Sequence, residues 1–333
     1  MKGVIVNLVL IITKLIIRGF MDWYHWVIIV VIFLLIGQMI GSYIGFKYII
    51  PKKPQTKPLI ERDLENSNLR GYEHLVKESF DFLDGLTKED IYIKSKDNLK
   101  LHACYINNNS NKTVVFAHGY RSRAYNDFSL PIRRLFQEGY NIFYIDQRCH
   151  GQSEGKYVTF GIKERIDLVD WVNYINENYK PESIILYGMS MGCATTSMSL
   201  PLMPKNVKAA VLDCGFSSMF KLMVKQTRKM IKVNAIPSVI FMDIYCRIIA
   251  GFSMFTSSSR KALKKINIPC FFIHGKADSV VPFKHGVENY NSCKSEIKEC
   301  AFVDDAEHGI CNYVLYPQLE NRVVEFINNS VKE

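Results

Sequence analysis

Ser183-Ile184-Ile185-Leu186-Tyr187 runs directly into Gly188-Met189-Ser190-Met191-Gly192, and Cys193-Ala194-Thr195-Thr196-Ser197-Met198-Ser199-Leu200 follows. An apolar strand, a G-x-S-x-G turn and a helix of small residues are the three parts of a nucleophile elbow. The two glycines have a physical role in such a turn. The serine is held in a strained backbone conformation, and side chains two residues to either side would collide with the neighbouring strand and helix. Taken alone, the pentapeptide also fits an ordinary strand-to-loop turn. The flanking strand and helix patterns favour the elbow.

Outward from this segment the chain alternates. Strand patterns recur at 91–95, 99–106, 113–118, 140–146, 183–188, 208–213, 269–274 and 299–303. Helical patterns occupy 129–138, 162–178, 191–203, 284–294 and 312–330. Such alternation predicts a mostly parallel sheet covered by helices on both faces. Lys96-Asp97-Asn98 reads as a hairpin turn, which makes the leading edge antiparallel. The stretch 216–268 does not alternate. Its first part, Met219–Lys232, is helical, with Phe220, Met223, Val224, Thr227, Met230 and Ile231 on one face and Lys221, Lys225, Arg228, Lys229 and Lys232 on the other. We read 216–265 as a lid inserted between two strands.

The formal net charge of +10 is uneven. Residues 1–58 contribute +6 and residues 221–265 contribute +9, so the remainder is acidic. Both basic segments point toward a membrane surface. A basic chain can instead bind nucleic acid, but no recognition motif for it is present. All nine cysteines lie beyond residue 100, and none forms a C-x-x-C pair, so neither a zinc site nor a thioredoxin-like site is expected. An odd number of scattered cysteines suits a reducing compartment.

Val27 to Phe46, VIIVVIFLLIGQMIGSYIGF, carries no charge. A helix of that length spans a hydrocarbon core of about 30 Å. Trp23, Tyr24 and Trp26 sit at one end and Tyr43 and Tyr48 at the other, as interfacial aromatics do. No small-residue cleavage site follows, so the run reads as an anchor. Gly37, Gly41 and Gly45 form a small-residue stripe through which two copies could self-associate. The expected organisation is therefore an apolar and basic segment over 1–26, a transmembrane helix over 27–46, a basic proline-rich linker over 47–58 and a hydrolytic domain over 59–333. The role of 1–20, and whether the chain truly starts at Met21, stay open. In this reading the span and linker supply anchorage alone.

A serine hydroxyl needs a base to take its proton, and that base is usually a histidine oriented by a buried carboxylate. After Ser190, Asp278 lies just past the strand Phe271-Phe272-Ile273-His274, and His308 lies just past the last strand. Each stands at the carboxyl end of a strand, which puts all three on one rim of the sheet. His118, His150, His274 and His285 are rivals near strand ends or loops, and the place of His308 after the final strand sets it apart. The oxyanion of the transition state needs two donors. The backbone N–H of Met191 follows the nucleophile, and that of Tyr120 lies in the loop His118-Gly119-Tyr120.

Ala117-His118-Gly119, Asp146-Gln147-Arg148-Cys149-His150-Gly151-Gln152-Ser153-Glu154-Gly155, the elbow, His274-Gly275-Lys276-Ala277-Asp278 and Glu307-His308-Gly309 together resemble the α/β-hydrolase superfamily over roughly residues 90–330. The set is most similar to the membrane-anchored, esterase-like branch that also resembles serine aminopeptidases and acylglycerol lipases. The resemblance implies an α/β-hydrolase fold, here with the inserted helical lid and the N-terminal transmembrane helix. It implies a structural role for Asp146, Arg148 and His150, and it leaves residues 59–90 unexplained. Cys149, and Asp97-Asn98 in place of the usual Asp-Gly turn, depart from the pattern without touching the machinery. The expectation is a single-pass serine hydrolase cleaving acyl esters or lipids with Ser190, His308 and Asp278, with no cofactor and no metal. A slight excess of lysines after the span favours a cytoplasmic catalytic domain. The alternatives are a peptidase acting on short peptides and a non-catalytic binding protein on the same fold.

Overall fold

The structure is a computed structural model that describes residues 2–17, 22–52, 64, 67–231 and 234–332. Two helices, α1 (Lys2–Ile17) and α2 (Trp23–Ile49), precede α3 (Glu73–Asp84). The body then runs β1 (Glu89–Lys94), β2 (Lys100–Ile106), β3 (Lys112–Ala117), α4 (Ala124–Gln137), β4 (Asn141–Asp146), α5 (Glu164–Asn178), β5 (Ser183–Met189), α6 (Met191–Ser199) and β6 (Val207–Asp213). The insertion α7 (Met219–Ile231), α8 (Ile236–Tyr245) and α9 (Ser259–Leu263) follows. The chain returns as β7 (Cys270–Gly275), α10 (Lys284–Ser292), β8 (Lys298–Val303), α11 (Cys311–Val314) and α12 (Gln318–Lys332).

The eight strands form one sheet in the order β1-β2-β4-β3-β5-β6-β7-β8. The pairs β1–β2 and β2–β4 are antiparallel, and every other pair is parallel. The Lys96-Asp97-Asn98 hairpin thus builds the antiparallel edge expected of it. Side chains alternate across the sheet, as a period of two requires. Val114, Phe116, Ile185 and Tyr187 pack toward α3, α4 and α12. Val115, Ala117, Ile184 and Leu186 pack toward α5 and α9. The crossover of β4 to the far side of β3 leaves β3 and β5 adjacent at the centre, with both carboxyl ends free to hold a site.

Three features differ from the sequence reading. The last helical pattern is split into α11 and α12 around Pro317. On α7 the buried residues are Met219, Leu222 and Met223, whereas Met230 is 82% exposed and Ile231 is also exposed. The last turn of α7 runs past the body, so its apolar residues have nothing beneath them. Lys232 lies outside the described residues, as do Arg18, Met21 and the second half of the 47–58 linker, Lys53 and Lys57 included. Of the unexplained 59–90 stretch, α3 packs Leu75, Val76, Phe80 and Leu83 into the core, while Glu61, Asp63 and Glu65 lie outside the described residues.

The third difference concerns the anchor. Among the described residues α2 is the one helix long and apolar enough to cross a membrane. Its final turns do more than tether. Phe46 and Ile50 are buried in a cluster with Met242, Cys246 and Val158. Pro51 pairs with Tyr157, and Val158 N–H donates to the Ile50 carbonyl at 2.9 Å. Of the glycine stripe, Gly45 is occupied by Met242 of α8, whereas Gly37 and Gly41 face open space. A deletion of residues 1–37 should therefore leave the body's stability intact. A deletion of 1–58 removes Phe46 and Ile50, each worth about 2–5 kcal/mol. Thermal melts in detergent should place the longer deletion at least roughly 10 °C lower, and equal Tm values would show that α2 adds nothing to the body.

Candidate active site

Ser190 sits between β5 and α6 with φ 55° and ψ −113°, a conformation that L residues rarely adopt. Two glycines make it possible. A Cβ on Gly192 would lie 1.8 Å from the Ala117 carbonyl of β3, and one on Gly188 would lie 2.4 Å from the Gly192 carbonyl. The strand and helix therefore approach as closely as the sequence pattern demands. The Ser190 N–H donates to the Asp213 carbonyl of β6 at 2.9 Å, which ties the turn to the next strand.

The structure brings the three sequence-nominated side chains together. Ser190 Oγ is 2.9 Å from His308 Nε2, and His308 Nδ1 is 2.7 Å from Asp278 Oδ2. Asp278 follows β7, and His308 lies between β8 and α11. The other oxygen of Asp278 accepts from the N–H groups of Val280 and Val281 at 2.9 and 2.7 Å. Burial alone would raise this carboxyl. Hydrogen bonds and charge from His274 and His308 outweigh it and hold the pKa at about 2. Asp278 is thus an anion at any working pH, fixed in place to hold the Nδ1–H of His308. That leaves the Nε2 lone pair facing Ser190.

The nominated oxyanion donors flank the serine. Met191 is the first residue of α6, and the N–H of a first helical residue has no partner within the helix. Tyr120 lines the same cavity as Ser190 and His308, a space of about 200 Å³. Its loop is clamped from several sides. Gly119 N–H donates to Asp127 Oδ2 at 2.7 Å, and Arg121 N–H donates to His150 Nε2 at 2.9 Å. Tyr120 OH donates to the Ile49 carbonyl at 2.6 Å, and the Arg121 guanidinium donates to the Tyr48 carbonyl. The end of α2 therefore braces the loop that holds one candidate donor.

The rival histidines have other tasks. His118 Nε2 accepts from Gln147 N–H at 3.1 Å while its Nδ1 lies 2.7 Å from the Gly119 carbonyl. His150 Nδ1 lies 2.9 Å from the Arg148 carbonyl. His285 Nδ1 meets Ser217, and His274 Nε2 lies 2.8 Å from the Val281 carbonyl and 3.4 Å from Asp278 Oδ2. Arg148 joins Asp97 of the hairpin to Asp167 of α5, the structural role its motif implies.

Sequence reasoning missed Cys214 and Asp127, and it named His274 as a rival base without foreseeing its contact with Asp278. Cys214, after β6, lies 3.9 Å from His308 Nε2. Nothing in its local sequence marks it, because the proximity is created by the adjacency of β6 and β7. Cys214, Asp278 and His308 have ligand atoms close enough to share a metal ion. Both nitrogens of His308 are engaged, however, and burial pushes the Cys214 thiol far from its anionic form, so these residues are poorly suited to a metal.

Comparison with known proteins points to the same fold. Residues 108–245 match the family model described as Serine aminopeptidase, S33. The Bacillus subtilis (strain 168) protein YqkD is 24% identical over 87% of this chain and 92% of its own length. The Homo sapiens alpha/beta hydrolase domain-containing protein 17C is 27% identical over 67% of this chain, which spans 60% of that relative's length. The crystallised Pyrococcus furiosus esterase Pf2001 superposes with a TM-score of 0.64 and 26% identity, covering 84% of this chain and 98% of the esterase.

The buried histidines give the site a pH signature. Burial, reinforced by the nearby His118, lowers His150 to about 4. The unfolded imidazole has a pKa of about 6.5. Between those values the unfolded chain binds the proton and the folded chain does not, so stability falls as pH falls from about 6.5 to 4. His150 alone should cost about 3 kcal/mol across that window. Urea midpoints measured from pH 7 to pH 4 check this, and a flat profile would mean that His150 does not stay neutral.

Proposed function

We propose that this chain, which belongs to the α/β-hydrolase superfamily, is a membrane-anchored serine hydrolase that cleaves acyl esters through an acyl-enzyme. The observation that carries the reading is the continuous contact from Ser190 Oγ through His308 to Asp278. As Ser190 Oγ attacks the ester carbonyl, its proton passes to His308 Nε2. The imidazolium is stabilised by the Asp278 anion. The tetrahedral oxyanion is met by the backbone amides of Tyr120 and Met191. His308 then protonates the departing alcohol, and the acyl group stays on Ser190. A water deprotonated by the same nitrogen attacks next, the acid departs and Ser190 is restored. Each step needs one proton carrier, and the geometry supplies one.

In this reading α2 crosses the membrane and carries the catalytic body on its cytoplasmic side, where nine free cysteines are at home. The basic face of the lid would add attraction to anionic lipid. Lys221 pairs with Glu288 and Lys229 donates to the Ser279 carbonyl, so the exposed Lys225 and Arg228 are the side chains to meet headgroups. A second copy packing on the glycine stripe would meet Gly37 and Gly41, since Gly45 is taken.

A peptidase reading ranks second, and the cavity explains why. A site for a peptide's α-amino group needs a carboxylate to receive it. Among the described residues Asp127 is the carboxylate lining the cavity, and its oxygens accept from Gly119 N–H and Ser122 Oγ.

Hydrolysis of a p-nitrophenyl ester by purified variants tests the mechanism. Ser190→Ala and His308→Ala should each lose on the order of 10⁶-fold in kcat, and Asp278→Asn about 10⁴-fold, because orientation is lost while the base remains. A natively folded Ser190→Ala protein that kept a tenth of the activity would remove Ser190 from the reaction.

A further inference from the structure

The lid helix α8 lies against α2 itself. Ser42 Oγ donates to the Ser238 carbonyl at 2.8 Å, a Cβ on Gly45 would lie 3.3 Å from Met242 Cε, and the Phe46 and Tyr245 rings are 6.3 Å apart. Tyr245 also reaches back along α2, with its ring 5.3 Å from that of Tyr43 and its OH 3.3 Å from the Met39 carbonyl, so α8 packs across the second half of α2. The contact falls within the uncharged run Val27–Phe46. Whatever surrounds that part of α2 also surrounds α8.

The outer face of α8 is built for hydrocarbon. Ile236, Ile240 and Ile244, at i, i+4 and i+8, are 45%, 41% and 41% exposed. Its one charged residue, Asp243, is turned inward, where it accepts from Arg247 Nε, Ser253 Oγ and Met254 N–H. A basic residue closes the apolar run on both helices. Lys47 follows Phe46 on α2, and Arg247 follows Tyr245 just past α8. Two packed helices whose apolar runs each end on a basic residue match a bilayer boundary.

We propose that α8 enters the bilayer beside α2, with Ile236, Ile240 and Ile244 in contact with lipid acyl chains, and that the substrate is an acyl group carried by a membrane lipid. The claim rests on the reading of α2 as a span and of Ser190 as the nucleophile. The path from bilayer to site is short. The cluster that holds Phe46 and Met242 also holds Met191, next to Ser190, and the cavity wall at Tyr120 is hydrogen-bonded to the end of α2. The route we assign to the acyl chain follows this apolar cluster from the end of α2 toward Ser190.

The test uses the full chain in vesicles of phosphatidylcholine and phosphatidylglycerol. Ile240→Cys in a Cys300→Ser background, labelled with an environment-sensitive fluorophore, is compared with Lys205→Cys at the opposite end of the sheet. Phosphatidylcholine carrying a nitroxide on its acyl chain should quench the label at 240 at least twofold more than the label at 205. Equal quenching overturns the proposal. Ile240→Glu combined with Ile244→Glu should cut turnover of a vesicle-borne long-chain ester about tenfold and leave a short water-soluble ester unchanged. Unchanged turnover of the vesicle-borne ester overturns delivery through α8. Loss of the soluble-ester reaction from the labelled parent would count against the serine-hydrolase reading instead, and the quenching result would still decide where α8 lies.

Discussion

Gly192 carries no side chain because the Ala117 carbonyl occupies the place where one would be. That approach of α6 to the end of β3 sets the geometry on which everything at the carboxyl rim depends. It forces the turn between β5 and α6 to be sharp, and Ser190 takes up the strain at φ 55°. The same approach brings the loop after β3 beside the serine, where an added Cβ on Gly119 would touch Ser190 Cβ at 3.4 Å. The candidate nucleophile and the candidate oxyanion loop are thus positioned by a single backbone contact. Strain of this kind costs about 1–3 kcal/mol and persists only where the surroundings over-determine it. Here the buried parallel strands on either side do so.

The end of α2 and the candidate site are one mechanical unit. The carbonyls at the end of α2 receive Tyr120 OH and the Arg121 guanidinium. Those two residues belong to the loop that His150 and Asp127 hold from the other side. A membrane helix connected by a free linker would leave the catalytic body to tumble. One whose last turn is packed into the body fixes which face meets the bilayer. Lid, loop and helix end share a single apolar cluster, so a change in the depth of α2 would be felt at Tyr120.

Much of this was legible in the sequence because it is written in local chemistry. Strands buried on both faces read as apolar runs, and turns read as glycine and charge. The order Ser190, Asp278, His308 at strand ends needs no knowledge of side-chain packing. What stayed hidden depends on which elements meet. Ser42, Gly45 and Phe46 sit in a run that is apolar throughout, so no periodicity separates the face toward α8 from the outward face. Residues 236–250 are likewise apolar nearly all round, and only the contact with α2 reveals which stripe is left over. The face of α7 was misjudged because its pattern continues past the point where the body ends beneath it. Cys214 reaches the site through strand order, which no local pattern encodes.

The account stands or falls on a single nucleophile activated by His308. Its most direct test is to treat the full chain, in vesicles, with a fluorophosphonate and to map the adduct by tandem mass spectrometry. The account predicts one phosphonylated residue, Ser190, with labelling abolished in Ser190→Ala and slowed by orders of magnitude in His308→Ala. An adduct on another residue, or labelling of Ser190 at an unchanged rate without His308, would contradict it.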